Sequence, residues 1–152
     1  MLITAPLFLL FPSPHPSLTR IHLVHSLSLA CPSSTHYVRL LIAFSLRSNA
    51  PVHYYSHGAN GIFKIQAPMV LGHEASGIIT ALPSVLPPGS TLKVGDKVAL
   101  EVGVYCKICK YCKIGRYNLC SGMRFASSAK TFPHLDGTLT EVMCHPVDLL
   151  HK

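Results

Sequence analysis

Four cysteines, Cys106, Cys109, Cys112 and Cys120, are spaced C-x2-C-x2-C-x7-C. Thiolates this close can fill the tetrahedral shell of one zinc ion without help from distant strands. A site with four protein ligands has no open position, so its role is structural. Four thiolates around one zinc carry a net charge of about −2, and Lys107, Lys110 and Lys113 lie between or just after the cysteines, where they offset it. Nearby cations also lower thiol pKa values and favour the metal-binding form. Two other arrangements use the same residues. Pairing as two disulfides requires strained near-neighbour bridges. An iron–sulfur run of bacterial type ends C-x3-C-P, whereas here the last gap is seven residues and Ser121 follows Cys120. The spacing favours zinc. A second pair of donors, His73 and Glu74, follows Gly72; taken alone, such a pair reads as a solvated turn.

The elements that position these residues must come mainly from the second part of the chain. All six acidic residues and all ten glycines lie beyond residue 57, and the first fifty residues mix Leu, Ser, Pro and His with three arginines, unlike a typical soluble domain. A boundary is therefore expected near Pro51, with residues 1–51 disordered or foreign to a domain over 52–152 that folds without them. Residues 2–11, LITAPLFLLF, resemble a signal-peptide core, and Leu29-Ala30-Cys31 resembles a cleavage site. A positive leading region is missing, however, and the apolar run is far shorter than a bilayer span. The formal charge of +7 arises as much from few acids as from many bases, and no five consecutive Lys/Arg occur. Basic patches interleaved with aromatics are also missing, so neither nucleic acid nor membrane is an expected partner.

Beyond residue 51 the pattern is mainly β. Residues 74–81 alternate small or polar with apolar side chains, 83–89 form a turn-rich loop, and 94–100 read as turn then strand. Asp136-Gly137 is an expected turn, 138–144 alternate again, and Pro146 is expected to stop the pairing. No amphipathic helix is evident in this half.

Several motifs in order carry a family resemblance. Val52-His53-Tyr54-Tyr55, Pro68-Met69-Val70-Leu71-Gly72-His73-Glu74-Ala75-Ser76-Gly77 and Lys93-Val94-Gly95-Asp96-Lys97-Val98-Ala99-Leu100-Glu101 precede the four-cysteine lobe. Together they resemble zinc-dependent medium-chain dehydrogenases. Gly115-Arg116-Tyr117-Asn118-Leu119-Cys120, Met123-Arg124-Phe125-Ala126 and Asp136-Gly137-Thr138-Leu139 are similar to the fungal polyol branch, the sorbitol and xylitol dehydrogenases. The resemblance implies a GroES-like catalytic domain with a structural zinc on the four cysteines. It also implies NAD-linked oxidation of a polyol to a ketose in complete members, which are cytoplasmic and often homo-oligomeric. His73 and Glu74 are implied ligands of a catalytic zinc, and Tyr54 and Phe125 are implied neighbours of the substrate.

The chain departs from that pattern in two places. The family's first catalytic-zinc ligand is a cysteine in a Gly-Ile-Cys-Gly-Ser-Asp run just before the position of Val52; here Leu46-Arg47-Ser48-Asn49-Ala50-Pro51 stands there. Ser48 thus replaces the thiolate, and a hydroxyl is a poor zinc ligand. The chain ends at Lys152 and holds no G-x-G-x-x-G after a strand, so no Rossmann domain and no NAD-binding residue is expected within it. The loops at 82–91 and 126–135 are longer than usual for the family. The sequence therefore reads as an incomplete member, inactive by itself, and the alternative is a non-catalytic zinc-binding module.

Overall fold

The computed structural model describes residue 31, residues 36–45 and residues 49–152. The expectations for the signal-like stretch 2–11 and for Ser48 fall outside the described residues. Five strands form the main sheet: β1 (Tyr37–Ser45), β4 (Ala75–Ala81), β5 (Lys97–Leu100), β8 (Val142–Pro146) and β9 (Leu150–His151), in the order β8-β1-β4-β5-β9. Two short ribbons accompany it. β2 (Ala59–Asn60) pairs with β3 (Phe63–Lys64), and β6 (Gly103–Val104) pairs with β7 (Arg124–Phe125).

β1 corrects the expected boundary. Tyr37–Ser45 pairs antiparallel with β4 on one side and β8 on the other, so the domain begins well before residue 52. Val38 and Leu40 are fully buried, while Arg39 and Leu41, which alternate with them, are exposed, the period-2 pattern of a strand with one face on the core. These two side chains join Ile79, Val98, Leu100, Val102, Ala126, Val147 and Leu150 in a single cluster, with Ile42 and Met143 packed against it.

β4 and β5 lie where the alternation places them and pair antiparallel, Gly77 opposite Val98. Their turn is locked by Gly95, whose φ of +92° suits glycine and whose N–H donates to the Ile79 carbonyl at 2.8 Å. β8 starts at Val142, later than the alternation from 138 suggests, and it runs through Pro146. The reason is local: the N–H groups of Gly137, Thr138 and Leu139 donate to the carbonyls of Val70, Gly72 and Leu71, not to a sheet strand. At the other end β8 lies at the sheet edge, where a proline costs no ladder bond.

One helix was not expected. α1 (Asn49–His57) spans the anticipated boundary, with Pro51 in its first turn, where the missing N–H removes no intrahelical bond. Gly58 ends it at φ +65°, its N–H donating to the Tyr54 carbonyl. A four-residue turn, α2 (Lys110–Lys113), is the other α-helical element among the described residues. One covalent link was also not expected: Cys31 and Cys144 form a disulfide.

Two predictions follow from this packing. Leu40→Ala lowers the unfolding free energy by about 2–5 kcal/mol, and a chain cut to start at Val52 loses its cooperative thermal transition; circular dichroism melts read both. His145 gives a pH dependence. It is buried on the core face of β8, and its Nε2 donates to the Glu101 carbonyl at 3.0 Å. Burial pushes its pKa below the usual 6.5, against the opposing pull of the Glu101 and Leu149 carbonyls. As pH falls below 6.5 the unfolded imidazole takes up a proton that the folded one resists, so folding stability declines. The stability advantage of the wild-type chain over His145→Gln therefore narrows between pH 7.5 and 5, measured as the difference in urea midpoints.

Candidate metal centre

The four cysteines sit on an excursion whose base is closed by the β6–β7 ribbon, Val104 opposite Arg124. Cys106 follows β6, Cys109 is the N-cap of α2, Cys112 lies within α2, and Cys120 follows a 3₁₀ turn over Tyr117–Leu119. Lys107 has φ +65°. This left-handed residue bends the Cys106–Cys109 knuckle so that the Cys109 N–H points at the Cys106 Sγ, 3.4 Å away, while the Cys106 N–H points at the Cys120 Sγ, also 3.4 Å away. Sulfur separations are 3.9 Å for Cys106–Cys112 and 3.5 Å for Cys109–Cys112, and all four sulfurs lie within 4.8 Å of one another. A tetrahedron with Zn–S bonds of about 2.3 Å has S···S edges of about 3.8 Å, so the residues fit a zinc ion.

Electrostatics favour the same use. Backbone N–H groups of Cys109 and then Ile108 hold the Cys106 thiol down to about 6, whereas burial and the neighbouring thiols push Cys112 up to about 12. A divalent cation resolves that opposition by stabilising all four thiolates together. The expected role of the lysines is refined. Lys107 pairs with Asp148 and ties the lobe to the turn before β9, and Lys110 lies over the Tyr111 ring, 4.9 Å from its centroid. Tyr105 stacks on Tyr117 at 4.6 Å. Gly122 leaves little room, since a Cβ there lies 3.3 Å from the Cys106 Cβ.

The second candidate corner is built by backbone contacts. Gly72, at φ +94°, precedes His73; its N–H donates to the Ser127 Oγ at 3.0 Å and its carbonyl accepts from Thr138 at 2.9 Å. Gly137 approaches so closely that a Cβ on it falls 2.2 Å from the Gly72 oxygen. The Val70 N–H donates to the Asp136 carboxylate at 2.9 Å. These bonds fix the direction in which the chain presents His73 and Glu74. The His73 ring lies 5.6 Å from that of Phe125, which is 41% exposed, and Glu74 is exposed.

Tyr54 stands differently. Only 3% exposed, it accepts the Ala129 N–H on its hydroxyl at 3.0 Å, so the structure places it in the interior, fastening α1 to the 126–138 segment. The structure brings His73 and Phe125 together and gives Tyr54 a positioning contact. Sequence reasoning missed Ser127, a buried residue at φ +57°, because no spacing rule marks a lone serine that caps a distant glycine. Among the described residues, the four cysteines are the only group of three or more His, Cys, Asp or Glu side chains arranged for a metal. His73 and Glu74 have no third ligand there, so the described residues do not complete a catalytic metal site.

A lobe with four converging cysteines, hung from a sheet that carries a Gly-His-Glu corner, defines the zinc-dependent dehydrogenase class. Residues 38–152 match the alcohol dehydrogenase GroES-like domain, and the chain belongs to that family. That match starts inside β1 and agrees with the corrected boundary. Over 117 residues the chain is 44% identical to a probable D-xylulose reductase A of Aspergillus terreus, covering 77% of this chain and 31% of that protein. It is 44% identical to D-xylulose reductase A of Aspergillus oryzae over the same length and coverage. Among solved structures, L-idonate 5-dehydrogenase of Escherichia coli superposes with a TM-score of 0.67 at 34% identity, covering 79% of this chain and 33% of that one. The chain thus spans about a third of the length of the curated relatives it matches. The resemblance to the polyol branch therefore holds.

The lobe makes a direct prediction. Chain purified without chelator carries about one tightly bound zinc per molecule, measured by elemental analysis, and Cys109→Ser loses it. His73→Ala leaves it in place.

Proposed function

We propose that residues 38–152 are the metal-side and substrate-side domain of an NAD-linked polyol oxidoreductase, which converts a secondary alcohol of a sugar alcohol to a ketose. The observation that carries this reading is the clamped Gly72-His73-Glu74 corner beside an exposed aromatic ring. The names of the relatives, D-xylulose reductase and L-idonate 5-dehydrogenase, support a sugar-derived substrate. In the reaction, His73 and Glu74 supply an imidazole and a carboxylate at one fixed corner. Phe125 offers an apolar face for the carbon skeleton of a polyol, and Tyr54 and Ser127 hold the segment that aims them. Hydride transfer also requires a positioned nicotinamide, and these 152 residues contain no dinucleotide fingerprint. The domain is assigned to the cytoplasm, whose reducing conditions preserve a zinc–thiolate lobe.

The second reading, a non-catalytic zinc-binding module, is favoured by one observation: the cysteine lobe is complete, whereas His73 and Glu74 lack a third ligand among the described residues. For this chain alone the two readings converge on no turnover, and they separate at position 48. Ser48→Cys restores a thiolate at the implied ligand position. If the corner is a metal corner, the variant binds a second zinc, taking the total to about two per chain, and His73→Ala in that background returns it to about one. A Ser48→Cys chain that stays at one zinc defeats the metal-corner reading. Turnover of xylitol or sorbitol with NAD by the unaltered chain, purified free of host dehydrogenase, defeats the module reading and the inactivity of the chain.

A further inference from the structure

We propose that Cys31 and Cys144 form a reversible thiol–disulfide switch that ties residue 31 to the edge strand β8 on the outer face of the sheet. Cys144 stands opposite Arg39 in the β1–β8 ladder, and directly opposed residues of an antiparallel pair share a face. Arg39 is exposed, while the flanking pairs Val38–His145 and Leu40–Met143 turn inward to the core. The bond therefore lies on the face of the sheet away from the core, with both cysteines half-buried. β8 is an edge strand, held along its length by β1 alone in that sheet. The link closes a sequence separation of 113 residues, a loop that holds the cysteine lobe and the core residues from Val38 to Ala126.

The other four cysteines of the chain are free thiols gathered in the lobe. One chain thus combines an oxidised pair with thiols arranged for zinc, and two populations of cysteine respond differently to a thiol buffer. Reduction takes two equivalents of a small thiol such as glutathione: the S–S bond breaks, Cys31 and Cys144 each gain a proton, and the two glutathione sulfurs join as glutathione disulfide. Glutathione disulfide reverses each step. The ladders that join β1 to β4 and β8 are made by backbone hydrogen bonds and not by the disulfide, so the switch changes how residue 31 is held and the stability of the sheet without dismantling it. The argument rests on the disulfide and its place in the sheet, and it is independent of the catalytic reading.

The test uses the full, zinc-loaded chain equilibrated at a series of glutathione to glutathione disulfide ratios, alkylated, and mapped by peptide mass spectrometry. Expected is a coordinated shift of Cys31 and Cys144 between bonded and alkylated forms, while the four lobe cysteines stay protected and zinc content stays constant. The oxidised form melts higher by roughly 10 °C, from the loop-closure effect of a long disulfide-bonded loop, and reoxidation restores the difference. Cys31→Ser melts like the reduced wild type and shows no response to the ratio. If that variant does not fold, Cys31→Ala and the peptide mapping of the wild type decide. Cys31 and Cys144 alkylated independently of the ratio, or a melting point unmoved by reduction, overturns the proposal.

Discussion

The approach of two backbone segments, 70–72 and 136–139, sets where the chemistry-bearing residues of the domain stand. Three N–H groups on one segment donate to three carbonyls on the other, and the contact at Gly137 leaves no space for even one methyl group. A Cβ at 2.2 Å from an oxygen is far inside van der Waals contact, so an alanine there must separate the two segments. The Ser127 hydroxyl and the Asp136 carboxylate take further N–H groups of the 70–72 segment, while Tyr54 anchors Ala129 from the side of α1. His73 inherits its direction from this clamp.

The zinc lobe follows the opposite principle. It is tied to the rest of the domain through the β6–β7 base and the Lys107–Asp148 ion pair, and its interior is sulfur and backbone N–H rather than hydrocarbon. Without a cation, the thiols compete: Cys106 is drawn toward the thiolate by backbone donors while burial resists ionisation of Cys112. A lobe of this size has too little apolar surface to fold by burial, and metal binding supplies the missing free energy. Ile108 and Ile114 remain exposed on it, consistent with a unit that is organised around its ligands.

Much of this was legible in the residues. Cysteine spacing disclosed the lobe because ligand geometry depends on a few local intervals, and the alternation in 74–81 and 94–100 disclosed β4 and β5 because each has one buried face. β1 was hidden for a compositional reason: the first fifty residues lack acids and glycines, and the adjacent Leu40-Leu41-Ile42 run breaks the apolar–polar alternation that marks a strand with one buried face. α1 was hidden because Pro51 reads as a breaker unless it is known to occupy the first turn. The delayed start of β8, the capping role of Ser127 and the Cys31–Cys144 link all depend on which distant segments meet, and local pattern carries no such information.

Stability and chemistry are placed on different parts of the molecule. The core is supplied by β1, β4, β5, the segment from β8 to β9, and Val102 and Ala126 beside the β6–β7 ribbon, and none of the apolar side chains in that cluster is a candidate ligand. In the sequence, position 48 falls between β1 and α1, and the core cluster is made by residues elsewhere in the chain. A domain built this way can lose a catalytic ligand while its sheet, its clamp and its zinc lobe persist. The Ser48 that the resemblance sets at a ligand position is thus compatible with a folded GroES-like domain, because the folding energy and the ligand set reside in different residues.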